Sequence, residues 1–111
     1  MKVSDLLKLE HFSLVTTEVN CDTEICGGYT SDLLSDVMGN SDEGMAWITI
    51  QTHKNIVAIA SLKELACVII SNGNVPSQDL QDAAINENIP ILSTTLNSFD
   101  CSGIVYQLLN Q

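Results

Sequence analysis

Histidine is the side chain best suited to moving a proton near neutral pH. One of the two here, His53, stands in a polar run, Gln51-Thr52-His53-Lys54-Asn55, between two apolar stretches. Lys54 beside it has the charge to hold an anion. No cysteine or carboxylate lies at nucleophile or ligand spacing from His53, so a general base has no evident partner. Asp32 and Asp36 fall at i and i+4 of a helical pattern. There they present paired carboxylates, or they favour a helix N-terminus and face solvent. Cys21 and Cys26 flank a polar turn but lack a downstream pair at zinc-site spacing. Cys67 sits inside the apolar run ACVIIS, and Cys101 lies in a helical pattern. Four reduced, unpaired thiols are therefore expected, with a redox or metal role for Cys21 and Cys26 as the alternative. No metal site and no cofactor is expected. The chain has no GxxxxGK[ST], no GxGxxG and no GxSxG, which removes P-loop phosphoryl transfer, the dinucleotide fingerprint and the nucleophile elbow.

The charge balance excludes more. There are 14 acids against 4 lysines and no arginine, a net charge of −10. Such a surface repels a phosphate backbone, so no nucleic acid is expected as a partner. Without arginine, a bound anion would rest on backbone N–H groups, helix N-termini, hydroxyls or lysine. No apolar run is long enough to cross a bilayer. Lys2 is followed by acids and no long apolar core, so residues 3 to 10 read as a short amphipathic helix and not a signal peptide. A cytoplasmic protein with no membrane association is the expectation.

These residues need a scaffold, and the pattern supplies one. MAWITI (45 to 50) and ACVIIS (66 to 71) read as buried strands around a helix at 54 to 65. FSLVTTEV (12 to 19) reads as a strand. ICGGYT (25 to 30) reads as a short strand ending in a Gly-Gly loop. Ser31 is expected to cap a helix through 40, stopped by Gly39-Asn40. Asn72-Gly73-Asn74 is a turn, Pro76-Ser77 opens a helix through 88, 89 to 93 is a strand, and Ser98 caps a last helix through 110. At 111 residues the chain is expected to form one α/β domain: three layers, a mainly parallel sheet of four to five strands, and helices on both faces.

In open parallel sheets ligands bind beyond the carboxyl ends of the strands. Three polar strand exits are candidates for ligand contact: Thr52, His53, Lys54 and Asn55; Ser71, Asn72 and Gly73; and Thr94 and Thr95. Gly27 and Gly28 form a fourth, where a ligand could approach the backbone. Thr, Ser and Asn also serve capping and turns at such junctions. Trp47, Met45 and Tyr29 are the aromatic and soft residues placed to line a pocket, an interface or the core.

The ordered pattern GGYTSDLLSDVMGN, AWITIQTHKNIVAIASLKELACVIISNG and NIPILSTTLNSFD resembles the DRTGG domain, over roughly residues 4 to 110. In that family Thr52-His53 would stand at the Asp-Arg pair, and Ser71-Asn72-Gly73 at the Thr-Gly-Gly. Such domains accompany CBS pairs in some inorganic pyrophosphatases, precede some phosphotransacetylases, and occur alone in anaerobic bacteria. The resemblance implies a non-catalytic regulatory domain that forms a homodimer and senses a small metabolite or anion at the strand exits. The alternative is an accessory protein whose acidic surface meets a basic protein partner in an anaerobic redox or signalling system. A third reading, a small enzyme using His53 as base with Thr52 or Ser71 assisting, needs a cleft and a nucleophile within reach.

Overall fold

Two strands set the centre of the molecule. β3 (Met45–Thr49) and β4 (Cys67–Ile70) are buried almost throughout, as strands covered on both faces must be. The computed structural model describes all 111 residues. Its remaining strands are β1 (Ser13–Leu14), β2 (Gly27–Thr30) and β5 (Ile91–Ser93). The helices are α1 (Val3–Leu6), α2 (Leu34–Asn40), α3 (Asn55–Leu62), α4 (Gln78–Asn86) and α5 (Ser98–Leu109). The sheet order is β1-β5-β4-β3-β2, with β2 to β5 parallel and β1 antiparallel to β5. The expected α/β domain, mainly parallel and clad by helices, is what the chain forms.

Side-chain alternation along the strands divides the core in two. Trp47, Val68, Ile70 and Ile91 point toward α2, α3 and α4, where Val37, Ile56, Val57, Ala60, Leu80 and Ala84 meet them. Ala46, Ile48, Cys67, Ile69 and Leu92 point the other way, toward Val3 and Leu6 of α1 and Cys101 and Val105 of α5. Sequential parallel neighbours joined by crossovers of one hand put their helices on one face. Only α5, which follows the last parallel strand, is free to cross the opposite face with α1.

Several boundaries differ from the sequence reading. The strand expected at 12 to 19 shrinks to Ser13–Leu14. Buried Thr16 is the reason: its hydroxyl accepts from Ile91 N at 2.9 Å and donates to Ile89 O at 3.5 Å, replacing the ladder with side-chain bonds. Gly27 and Gly28 are not a loop but β2 itself, paired in register with Met45 and Ala46. Ser31 does not cap α2. The helix starts after Leu33, and Ser31 Oγ accepts from Leu33 N at 3.2 Å in the preceding turn. The helix expected to open at Pro76-Ser77 starts at Gln78, and Ser77 caps it, accepting from Leu80 N. α5 is capped by Asn97, which accepts from Asp100 N at 2.8 Å, leaving the Ser98 hydroxyl free for another bond. Trp47 is fully buried, its Nε1 donating to Ser31 O at 2.9 Å, and so belongs to the core.

Candidate functional site

The three strand exits form one hydrogen-bonded surface. Ser71 N donates to Thr49 O at 2.9 Å, joining the ends of β3 and β4. Asn72 N donates to Leu96 O at 2.7 Å and Gly73 N to Thr94 O at 3.0 Å, joining β4 to the segment after β5. Asn74 Nδ2 reaches Ile50 O at 2.9 Å, and Ser77 N reaches Thr52 O at 3.3 Å. Asn72 and Gly73 have φ of 66° and 68°. Two successive left-handed residues match a type I′ turn, and the Asn-Gly pair is the sequence that tolerates them.

Asp32 adds a bond that spacing did not reveal. It lies before α2 rather than on it, and its Oδ1 accepts from Thr49 Oγ1 and Ile50 N, both at 2.8 Å. Asp36 sits in the first turn of α2, accepting from Tyr29 Oη at 2.8 Å and Asn40 Nδ2 at 2.9 Å. The two aspartates are therefore not a carboxylate pair. The hydroxyls of Ser31 and Tyr29 and the Asn40 amide hold the Asp36 carboxyl below its ordinary range. The hydrogen bond to Asp36 in turn pushes the Tyr29 phenol up.

A cleft of about 420 Å³ opens where the β4 and β5 exits meet the connection from α1 to β1. Gly73, Thr94 and Thr95 line it, facing Glu10, His11 and Gln81. Ser71 is buried behind this surface and Asn72 lies in its turn. The other sequence candidates lie elsewhere. Lys54 and Asn55 line a separate groove of about 470 Å³ between α3 and α4. His53 is exposed, and its Nδ1 accepts from Asn55 N at 3.2 Å as a local cap. Thr52 contributes its carbonyl to the bond from Ser77. Gly28 lies in a third hollow, between β2 and α5, and Gly27 beside it in the edge strand.

Glu10 and His11 were not among the sequence candidates because only the antiparallel return of β1 brings residues 10 to 15 beside β5, and Gln81 reaches the cleft from α4. Phe99 and Tyr106 were missed as surface residues. Their signal was present: α5 carries apolar residues on more than one side, and one core face cannot bury them all. No group of three or more His, Cys, Asp or Glu is placed to hold a metal. The four cysteines are free thiols, two of them buried. No helix is long and apolar enough to cross a membrane.

No protein-family model matches the chain, and no curated protein does. A solved structure does. It is the crystal structure of the CBS and DRTGG domains of the regulatory region of Clostridium perfringens pyrophosphatase, complexed with its activator diadenosine tetraphosphate. The match has a TM-score of 0.62 and 21% identity, and covers 72% of this chain. The chain spans about 35% of the length of that structure. The fold of about 72% of the chain is therefore shared with that structure, and in fold the chain is a DRTGG-like α/β domain.

Proposed function

We propose that this domain is a non-catalytic regulatory module of the cytoplasm that binds a small ligand in the cleft at the β4 and β5 exits and self-associates. The observation that carries the reading is the cleft's construction. Its walls come from three chain segments, and two of them are locked by the bonds Gly73 N to Thr94 O and Asn72 N to Leu96 O. Such a cleft is preformed, with a few convergent polar groups, as binding sites usually are. The likeness to a regulatory region crystallised with a nucleotide activator supports the same class of role.

The wall chemistry narrows the ligand. No lysine lines the cleft and Glu10 does, so an anionic group is repelled there. The Thr95 hydroxyl, the Gln81 amide and the His11 ring suit the uncharged polar part of a metabolite, such as a nucleobase. His53 has no role in this account, since its ring caps its own turn.

A thermal-shift comparison tests it, using adenosine, AMP and diadenosine tetraphosphate as probes. Ligand at about 100 times its dissociation constant adds about 2.7 kcal/mol, several degrees for a domain of this size. A shift that Thr95→Val and Gln81→Ala both reduce supports the site. A shift that neither variant changes places binding elsewhere.

A further inference from the structure

β2 is an edge strand, paired to β3 on one side only, and α5 packs against it. Between them lies a hollow of about 370 Å³ floored by Gly28, Ile48 and Val105. Phe99 and Tyr106 stand at its rim, 86% and 71% exposed. They lie seven residues apart on α5, two turns along one face. A monomeric domain seldom leaves two large aromatic rings open beside an apolar hollow, and aromatic residues are enriched at protein interfaces.

Two glycines sharpen the point. Gly28 lies in regular extended backbone, and a Cβ there would meet Val105 Cγ1 at 3.9 Å and Ala46 O at 3.7 Å, ordinary contact distances. Neither backbone nor crowding requires glycine, and its effect is to deepen the hollow. Gly103, inside α5, has nothing within 4 Å of where its Cβ would be. Glycine weakens a helix interior, and here it keeps the rim low between Phe99 and Tyr106.

The charge pattern identifies the occupant. The chain carries −10, yet no charged residue lines this hollow. A basic partner would seek acids, and none lines the hollow, the nearest on α5 being Asp100 beside Phe99. Two copies of an acidic chain repel everywhere except across an uncharged face. This face also carries both projecting rings and a hollow, so it is complementary to itself under a two-fold axis.

We propose that the β2–α5 face is the isologous contact of a homodimer, with each protomer's Phe99 entering the other's hollow. This rests on the self-association half of the proposed function and not on ligand binding, so a negative ligand screen leaves it standing. Sedimentation equilibrium on the full chain, from micromolar to millimolar concentration, tests it. The wild type should approach about twice the 12.0 kDa chain mass, with dimer favoured by added salt, which screens the like charges. Phe99→Glu with Tyr106→Glu should leave a folded monomer, since both side chains are exposed. Leu62→Glu, exposed on α3 away from this face, should remain dimeric. A wild type that stays monomeric at millimolar concentration overturns the proposal. So does a double variant that dimerises normally, or open-ended growth beyond the dimer.

Discussion

Ser71 Oγ lies 2.7 Å from Ser98 Oγ, joining the end of β4 to the first turn of α5. Ser71 is fully buried, and its hydroxyl also lies 3.4 Å from Thr49 O. One turn along α5, the Ser102 hydroxyl donates to Ser98 O at 2.5 Å and lies 2.7 Å from Thr30 Oγ1 on β2. A line of hydroxyls thus ties α5 to β4 at one end and to the edge strand at the other. The same helix follows directly on the Thr94-Thr95 wall of the cleft and carries Phe99, so the proposed ligand site and the apolar face share one element.

The Ser71–Ser98 bond should be measurable as a coupling. Ser71→Ala is expected to destabilise by about 1–2 kcal/mol, because it leaves a partly buried hydroxyl without its partner. In a double-mutant cycle with Ser98→Ala, urea unfolding should return a coupling of about 0.5–1.5 kcal/mol. Additive effects would show that the two hydroxyls do not hold each other.

Gly44 should tolerate no side chain. Its φ is +82°, and a Cβ would fall 2.8 Å from Cys26 Sγ. Its N–H donates to Glu64 O and its carbonyl accepts from Cys26 N, both at 3.0 Å, so it anchors the starts of β2 and β3. Gly44→Ala is expected to cost about 1–2 kcal/mol from left-handed backbone strain alone. A melting temperature equal to that of the wild type would refute this.

The central unit of the fold was legible for a simple reason. β3 and β4 are covered on both faces, so they read as unbroken apolar runs, and α3 between them has its own spacing. The edges were less legible. Gly27-Gly28 reads as a loop because glycine is a poor strand former, yet pairing with Met45 and Ala46 holds it in the sheet. The strand at 12 to 19 fails because one buried hydroxyl, Thr16, outcompetes the ladder. Of the proposed ligand contacts, Gly73, Thr94 and Thr95 converge because β4 and β5 are neighbours. Lys54 and Asn55 diverge because they follow β3, which β4 separates from β5.

Thiol reactivity should sort by burial. Burial pushes the Cys67 thiol up strongly and that of Cys101 up to about 12, and it raises half-buried Cys21 more modestly, with Asp22 adding to the effect. Cys26 is exposed. With Ellman's reagent the native protein should show Cys26 reacting first, Cys21 more slowly, and Cys67 and Cys101 only on unfolding. Rapid reaction of all four in the native state would contradict the core placement of the last two.

Acid should weaken the β2–α2 junction through Asp36. Its folded pKa lies below the ordinary 3.8 because the Ser31 and Tyr29 hydroxyls and Asn40 favour the carboxylate. A depressed carboxylate contributes stability above its unfolded pKa and loses it as pH falls through the folded value. Asp36→Asn should therefore be less stable than the wild type at neutral pH, and the gap should close below about pH 4. A gap independent of pH would assign the effect to packing instead.

The most direct test of the ligand site is a ¹H–¹⁵N spectrum of the labelled chain titrated with adenosine and then with diadenosine tetraphosphate. The account predicts saturable shifts centred on His11, Gly73, Thr94 and Thr95, spreading into the first turn of α5 through Leu96 and Ser98. No shift with either compound, or shifts gathered along α3 and α4 instead, would contradict it.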